Sequence, residues 1–137
     1  MTLGYNVVNY AGYSAATPTA DERFNAVTVR QPVDVSGMEV ESDVVNGQAA
    51  SASNTITLGV EDGGGAGTGT TNIDTPVGGT GGWTADTPKT HTMSTSVSDL
   101  DADDWVNLHY DEAGTPASTG GIHVSLAWVT GIPGGIA

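Results

Sequence analysis

The chain contains no cysteine, which removes disulfides, thiolate metal sites and cysteine nucleophiles together. Basic residues are nearly absent as well: Arg23, Arg30 and Lys89 stand against sixteen carboxylates, for a formal charge of −13. A nucleic-acid surface works by neutralising phosphates with Lys and Arg and releasing their counterions, so that partner class is excluded. Large aliphatics are scarce. Leu, Ile, Val and Phe make 26 of the 137 residues, just under the level of about 20% at which a highly charged chain runs short of core. No stretch approaches the ~20 apolar residues of a membrane span, and the opening MTLGYNVVNY has neither the basic segment nor the apolar run of an export signal. The expectation is one soluble domain that draws stability from assembly as well as packing. Its acidic surface repels itself in dilute buffer and is relieved when molar salt shortens the screening length to about 3 Å. That suits either a brine-adapted protein or an acidic mesophilic one.

What the sequence has is glycine, at twenty positions, with six prolines, set between short alternating runs. Val27 and Val29, then Val33, Val35, Met38 and Val40, read as β segments, with Gly37 breaking the alternation as a bulge would. Ile56, Leu58 and Val60 alternate with Thr55, Thr57 and Gly59. Val106, Leu108 and Tyr110 alternate with Asn107 and His109, and Ile122, Val124, Leu126 and Trp128 with His123, Ser125 and Ala127. Such runs are half-buried antiparallel strands. No window carries helical apolar spacing free of Gly and Pro. The expected fold is all-β, an antiparallel β-sandwich of jelly-roll-like build over 23–137, preceded by an extended N-terminal arm over 1–22. Tyr5, Tyr10 and Tyr13 in that arm are the candidate partner-binding residues, because aromatics give contact area at little entropic cost. The alternative is that the arm closes the domain's own core.

Candidate chemistry is sparse. EDGGGAGTGTTN follows a strand, as a phosphate loop does, but no lysine and no helix follow it, and Glu61 with Asp62 stand where an anion would be repelled. It reads as a mobile tip facing solvent, in a long connection over 61–89 at one end of the sandwich. SDLDADDW spaces Asp99, Asp101 and Asp103 at alternate positions as a calcium loop begins. The later glycine and bidentate glutamate of an EF-hand are missing, so the three are weak Ca²⁺ candidates beside the plainer reading of an acidic turn capping backbone amides. His91, His109 and His123 lack zinc-helix spacing; His109 and His123 would meet only if their strands were neighbours. No serine lies in G-x-S-x-G, and Asp111 with Glu112 have no visible groove for glycosidase chemistry. Trp83, in a loop, is the candidate for stacking on a sugar, whereas Trp128 shares its apolar face with Leu126.

The order PVDVSGMEVESDVVNGQAASASNTITLGVED, a Gly/Thr loop, DLDADDWVNLHYDEAGT and a final GIHVSLAWV resembles the small β proteins encoded beside major capsid genes of tailed viruses. Gly37, Asn54, Thr55, the run after Asp62, Asp104, Gly114 and Thr115 fall in the family's order over roughly residues 24 to 130. The resemblance implies a decoration, cement or head-fibre protein located on the capsid surface of a virion. It further implies the major capsid protein as partner, self-association as a trimer, and no catalysis. This chain is more acidic than the family, which points to the virus of a halophilic host. The rival expectations are a carbohydrate- or receptor-binding module using Trp83 and, ranked below it, a hydrolase.

Overall fold

The computed structural model describes residues 6–15, 21–97 and 99–131. Among them the strands are β1 (Asn6–Ala15), β2 (Glu22–Thr28), β3 (Glu39–Val44), β4 (Thr55–Gly64), β5 (Thr71–Asn72), β6 (Asp74–Thr75), β7 (Val77–Gly79), β8 (Lys89–Thr90), β9 (Thr92–Met93), β10 (Trp105–Ala113) and β11 (Ile122–Gly131). The protein is an all-β sandwich of antiparallel sheets. Sheet 1 runs β1-β11-β3-β8 and sheet 2 runs β2-β10-β4-β5, with β7 also on β4 and a small β6-β9 pair beside them. No α-helix occurs among the described residues.

The alternating runs set which face is buried. Val40, Val44, Val124 and Leu126 of sheet 1 and Leu58, Val60, Val106, Leu108 and Tyr110 of sheet 2 meet in one buried cluster. Burying a leucine such as Leu58 or Leu108, both fully enclosed, contributes about 2 kcal/mol of transfer free energy. With so few large aliphatics, most of them must be placed this well. Trp128 joins the cluster as expected.

Three expectations are corrected. Val35–Gly37 is a turn of 3-10 helix, not a bulged strand, because the Asp34 carboxylate accepts from the Ser36 amide at 2.9 Å and its hydroxyl at 2.7 Å, bending the chain there. The 61–89 connection is not a free end loop: β4 continues through Glu61 to Gly64, and β5, β7 and β8 each pair with a neighbour. His109 and His123 cannot meet, since β10 and β11 belong to different sheets. The segment expected as an arm is extended, and over Asn6–Ala15 it lies antiparallel on β11 as the outermost strand of sheet 1.

Candidate interaction surface

Strand pairing decides which side chains share the outer face of sheet 1. Across β1, β11 and β3 the rows are Val8 with Val129; Tyr10 with Ala127 and Glu39; Gly12 with Ser125 and Glu41; Ser14 with His123 and Asp43. Val8, Tyr10 and Val129 are three of the four large apolar side chains exposed among the described residues, and Tyr10 is 80% exposed. They form one apolar corner. Beyond it lies a trough of about 700 Å³, lined by Tyr10 on one side, Glu39, Glu41 and Thr90 on the other, and the small residues Gly12 and Ser125 between. Adjacent strands are about 4.8 Å apart, so the acids of β3 lie roughly 10 Å from the apolar corner on β1. Nothing in the described chain covers this face, and no arginine or lysine answers its acids. Contiguous exposed apolar surface rimmed by polar groups is the mark of an interaction site.

β1 separates the tyrosines. Tyr10 points outward, whereas Tyr13, three residues on, points to the interior and packs against the core with its ring 6.0 Å from that of Phe24. Tyr5 lies outside the described residues.

The outer face of sheet 2 is covered in part. The Gly-rich segment folds back over it: Gly67 donates its amide to the Gly64 carbonyl, Gly69 donates to Gly63, and the buried Asn107 amide on β10 donates to the Gly67 carbonyl at 2.9 Å. Gly67 has φ +72°, and a Cβ there would come within 2.6 Å of the Asn25 amide nitrogen. Gly63 is equally hemmed, with a Cβ falling 2.6 Å from Asn107 Nδ2. Glycine permits close packing at Gly63 and Gly67, and the expectation of a solvent-facing segment holds for the exposed Gly65, Ala66, Thr68 and residues 70–72. Next to the loop, the Glu61 side chain is only 1% exposed, and Arg23 donates Nε to it at 2.9 Å and Nη2 at 3.3 Å. That hydrogen bond raises the Arg23 pKa further, against the opposing effect of its partial burial. His109 Nδ1 lies 3.1 Å from Glu61 and its Nε2 contacts Asp21, so the ring can donate to both carboxylates only as the imidazolium.

A second buried network ties the sheets together. Ser42 Oγ on β3 is 2.7 Å from His91 Nε2, and His91 Nδ1 meets one oxygen of Asp74. The other Asp74 oxygen accepts the Val60 amide of β4 at 3.1 Å. A carboxylate only accepts, so Nδ1 carries the proton, and in a neutral ring Nε2 is then the acceptor of the serine hydroxyl. This is the order of a nucleophilic triad. Sequence spacing did not pair these residues. The His91 and Asp74 side chains are sealed from solvent and Ser42 is 1% exposed, so the network works as a clasp between β3 and β4.

The acidic turn does not gather its carboxylates. Asp103 faces Arg30 at 2.9 Å, the Asp104 side chain accepts the Asp101 amide at 2.9 Å, and the Val29 amide donates to the Asp104 carbonyl. Asp99, Asp101 and Asp103 form no ligand set, and no group of three such residues converges anywhere among the described residues. Trp83 is corrected too: it is buried, not displayed, with its ring under the Lys89 ammonium at 5.4 Å and its benzo edge against Gly78. No described helix is long and apolar enough to cross a membrane.

Among solved structures, the chain is similar to one titled "Cyanophage Pam1 capsid asymmetric unit", with a TM-score of 0.51, 20% identity, and 92% of this chain and 85% of that chain covered. No family model and no curated protein matches. At that identity the likeness shows the fold.

Proposed function

We propose that the protein is a structural component of a tailed-virus particle, decorating or cementing the capsid at its surface and stabilising contacts between capsomers, without catalysis. The observation that carries this reading is the likeness in fold, over nearly the whole chain, to a chain from a phage capsid. The strand order supports it: β1-β11-β3-β8 facing β2-β10-β4-β5 is in keeping with a jelly-roll-like sandwich.

The docking face is the outer side of sheet 1, and the partner is the major capsid protein. Val8, Tyr10 and Val129 supply apolar contact, and Glu39, Glu41 and Asp43 call for lysine or arginine on the other side. A second copy of this chain, carrying the same −13 charge, meets that face with repulsion. Self-association, a trimer by resemblance, therefore uses other surfaces, and brine adaptation of the host rests on the same charge.

The test is co-sedimentation of the recombinant protein with capsids that lack it. Wild type binds at a stoichiometry set by capsid symmetry, and Glu39→Lys with Glu41→Lys, both exposed, lowers binding at least about tenfold while the β signal in circular dichroism stays unchanged. Absence of binding to any shell overturns the capsid role. Full binding by the double variant overturns the choice of face.

A further inference from the structure

The cavity walled by residues 48–50, residues 81–84, Thr87 and Lys89, about 360 Å³ in volume, lies apart from the face assigned to the shell. We propose that it binds the carboxylate-bearing ring of an acidic sugar, a hexuronic acid in class.

Four observations converge there. First, Arg23 is paired with Glu61 and Asp21 and Arg30 with Asp103, whereas Lys89 has no carboxylate partner among the described residues. In a chain with sixteen acids and three bases, an unpaired cation is conspicuous, and the Trp83 ring holds it in place by a cation–π contact at 5.4 Å. Second, none of the lining residues is acidic, in contrast to the trough on sheet 1. Third, the Trp83 indole N–H, in a side chain 95% enclosed, has no acceptor. A buried donor left unpaired costs about 1–3 kcal/mol; Nε1 exposes less than 1 Å², so a ligand oxygen reaches it only as the side chains around it yield. Fourth, the backbone of the walls is fixed. Gln48 and Trp83 exchange backbone hydrogen bonds at 2.7 Å in both directions, and Gly82, at φ +72°, runs so close to residues 48–50 that a Cβ would sit 2.6 Å from the Ala50 amide nitrogen.

The chemistry selects the ligand. One ammonium balances the single charge of a carboxylate, whereas a phosphate or sulfate dianion leaves charge that no second base in the lining offsets. The remaining polar lining is neutral, with Gln48, Thr84 and Thr87 offering groups of the kind that sugar hydroxyls pair with, and the space exceeds what acetate would fill. Lys89 already covers the Trp83 ring, so the indole face is not free to stack on a sugar.

The experiment is a ¹⁵N NMR titration at constant NaCl, following the Trp83 indole N–H, assigned by comparison with the spectrum of Trp83→Phe. Glucuronate shifts that signal saturably. Glucose, which lacks the charge, and acetate, which lacks the ring, bind at least about fivefold more weakly, and Lys89→Gln weakens glucuronate by a similar factor. Thr84→Val, at an exposed rim position, serves as a second variant and weakens glucuronate without acetate being affected. A Trp83 signal indifferent to glucuronate, acetate binding as tight as glucuronate, or unchanged affinity in Lys89→Gln each overturns the proposal. None of these outcomes bears on binding to the capsid.

Discussion

The two outer faces of the sandwich solve the same compositional problem in opposite ways. Both belong to a chain with little apolar material and many acids. On sheet 2 the chain covers itself: the loop after β4 lies over β10, Asn107 holds that loop, and Arg23 with His109 encloses Glu61. On sheet 1 it leaves Tyr10, Val8 and Val129 in water beside a row of acids with which no arginine or lysine pairs among the described residues. Exposed surface of this kind persists where a partner completes it. The contrast teaches that the chain commits Arg23 and its Gly-rich loop to sheet 2 and leaves sheet 1 as the face proposed for docking.

The largest effect should come from opening the covered face. Arg23→Met leaves the Glu61 carboxylate buried with only His109 to answer it. Breaking a buried pair from one side costs 3–5 kcal/mol in full enclosure; because Arg23 is 37% exposed and partly screened, about 2–3 kcal/mol is expected. Urea denaturation measures it, and a loss below about 0.5 kcal/mol would mean that Glu61 is held by something other than Arg23. Asn107→Ala is next. It removes the hydrogen bond to Gly67 and should cost about 1 kcal/mol, with faster amide exchange at Gly67 and Gly69 and unchanged exchange across sheet 1.

Alkaline pH sharpens the comparison further, since sheet 2 alone holds a buried phenol. Burial first, and then its hydrogen bond to the Glu112 carboxylate at 2.6 Å, pushes the Tyr110 pKa well up in the folded protein. The unfolded phenol ionises near pH 10. Above that pH the unfolded chain has released a proton that the folded chain still holds, so this stabilisation is intact below about pH 10 and declines as pH rises beyond it. Tyr110→Phe should flatten that part of the Tm profile; an equally steep decline in the variant would assign it elsewhere.

How much of this the sequence discloses depends on how local each signal is. Ile56, Leu58 and Val60 state their face by alternation alone, as do Val106 with Leu108 and Val124 with Leu126, and those strands are where the pattern places them. β1 is harder to read because its inward residues include small and polar ones, Ala11 among them, so only pairing with β11 reveals a strand. The Gly-rich segment is read as loose because what secures it, Asn107, lies 40 residues from Gly67. Likewise Glu61 becomes a buried charge only when β10 brings His109 and β2 brings Arg23 beside it. The acids Glu39, Glu41 and Asp43 did carry a legible sign, a polar period of two opposing Val40, Ser42 and Val44, yet their meaning depends on the uncovered tyrosine two strands away.

The smallest effect on stability is expected at that tyrosine, and it decides most about function. Tyr10→Ser removes a side chain that touches mainly water, so urea midpoints should match wild type, as for ordinary surface substitutions. Removing residues 2–16 would be the wrong instrument, because it strips β1 from β11 and exposes Leu126 and Trp128 beside the missing strand. The point substitution separates folding from docking: capsid binding should fall several-fold, most of it through faster release, because an aromatic anchor at the centre of a contact governs the off-rate more than the encounter. Glu39→Lys acts through charge instead, slowing association and altering its dependence on salt. If Tyr10→Ser left both the rate of release and the affinity untouched while the β3 charges still mattered, the apolar corner would lie outside the contact, and attachment would rest on the acidic row alone.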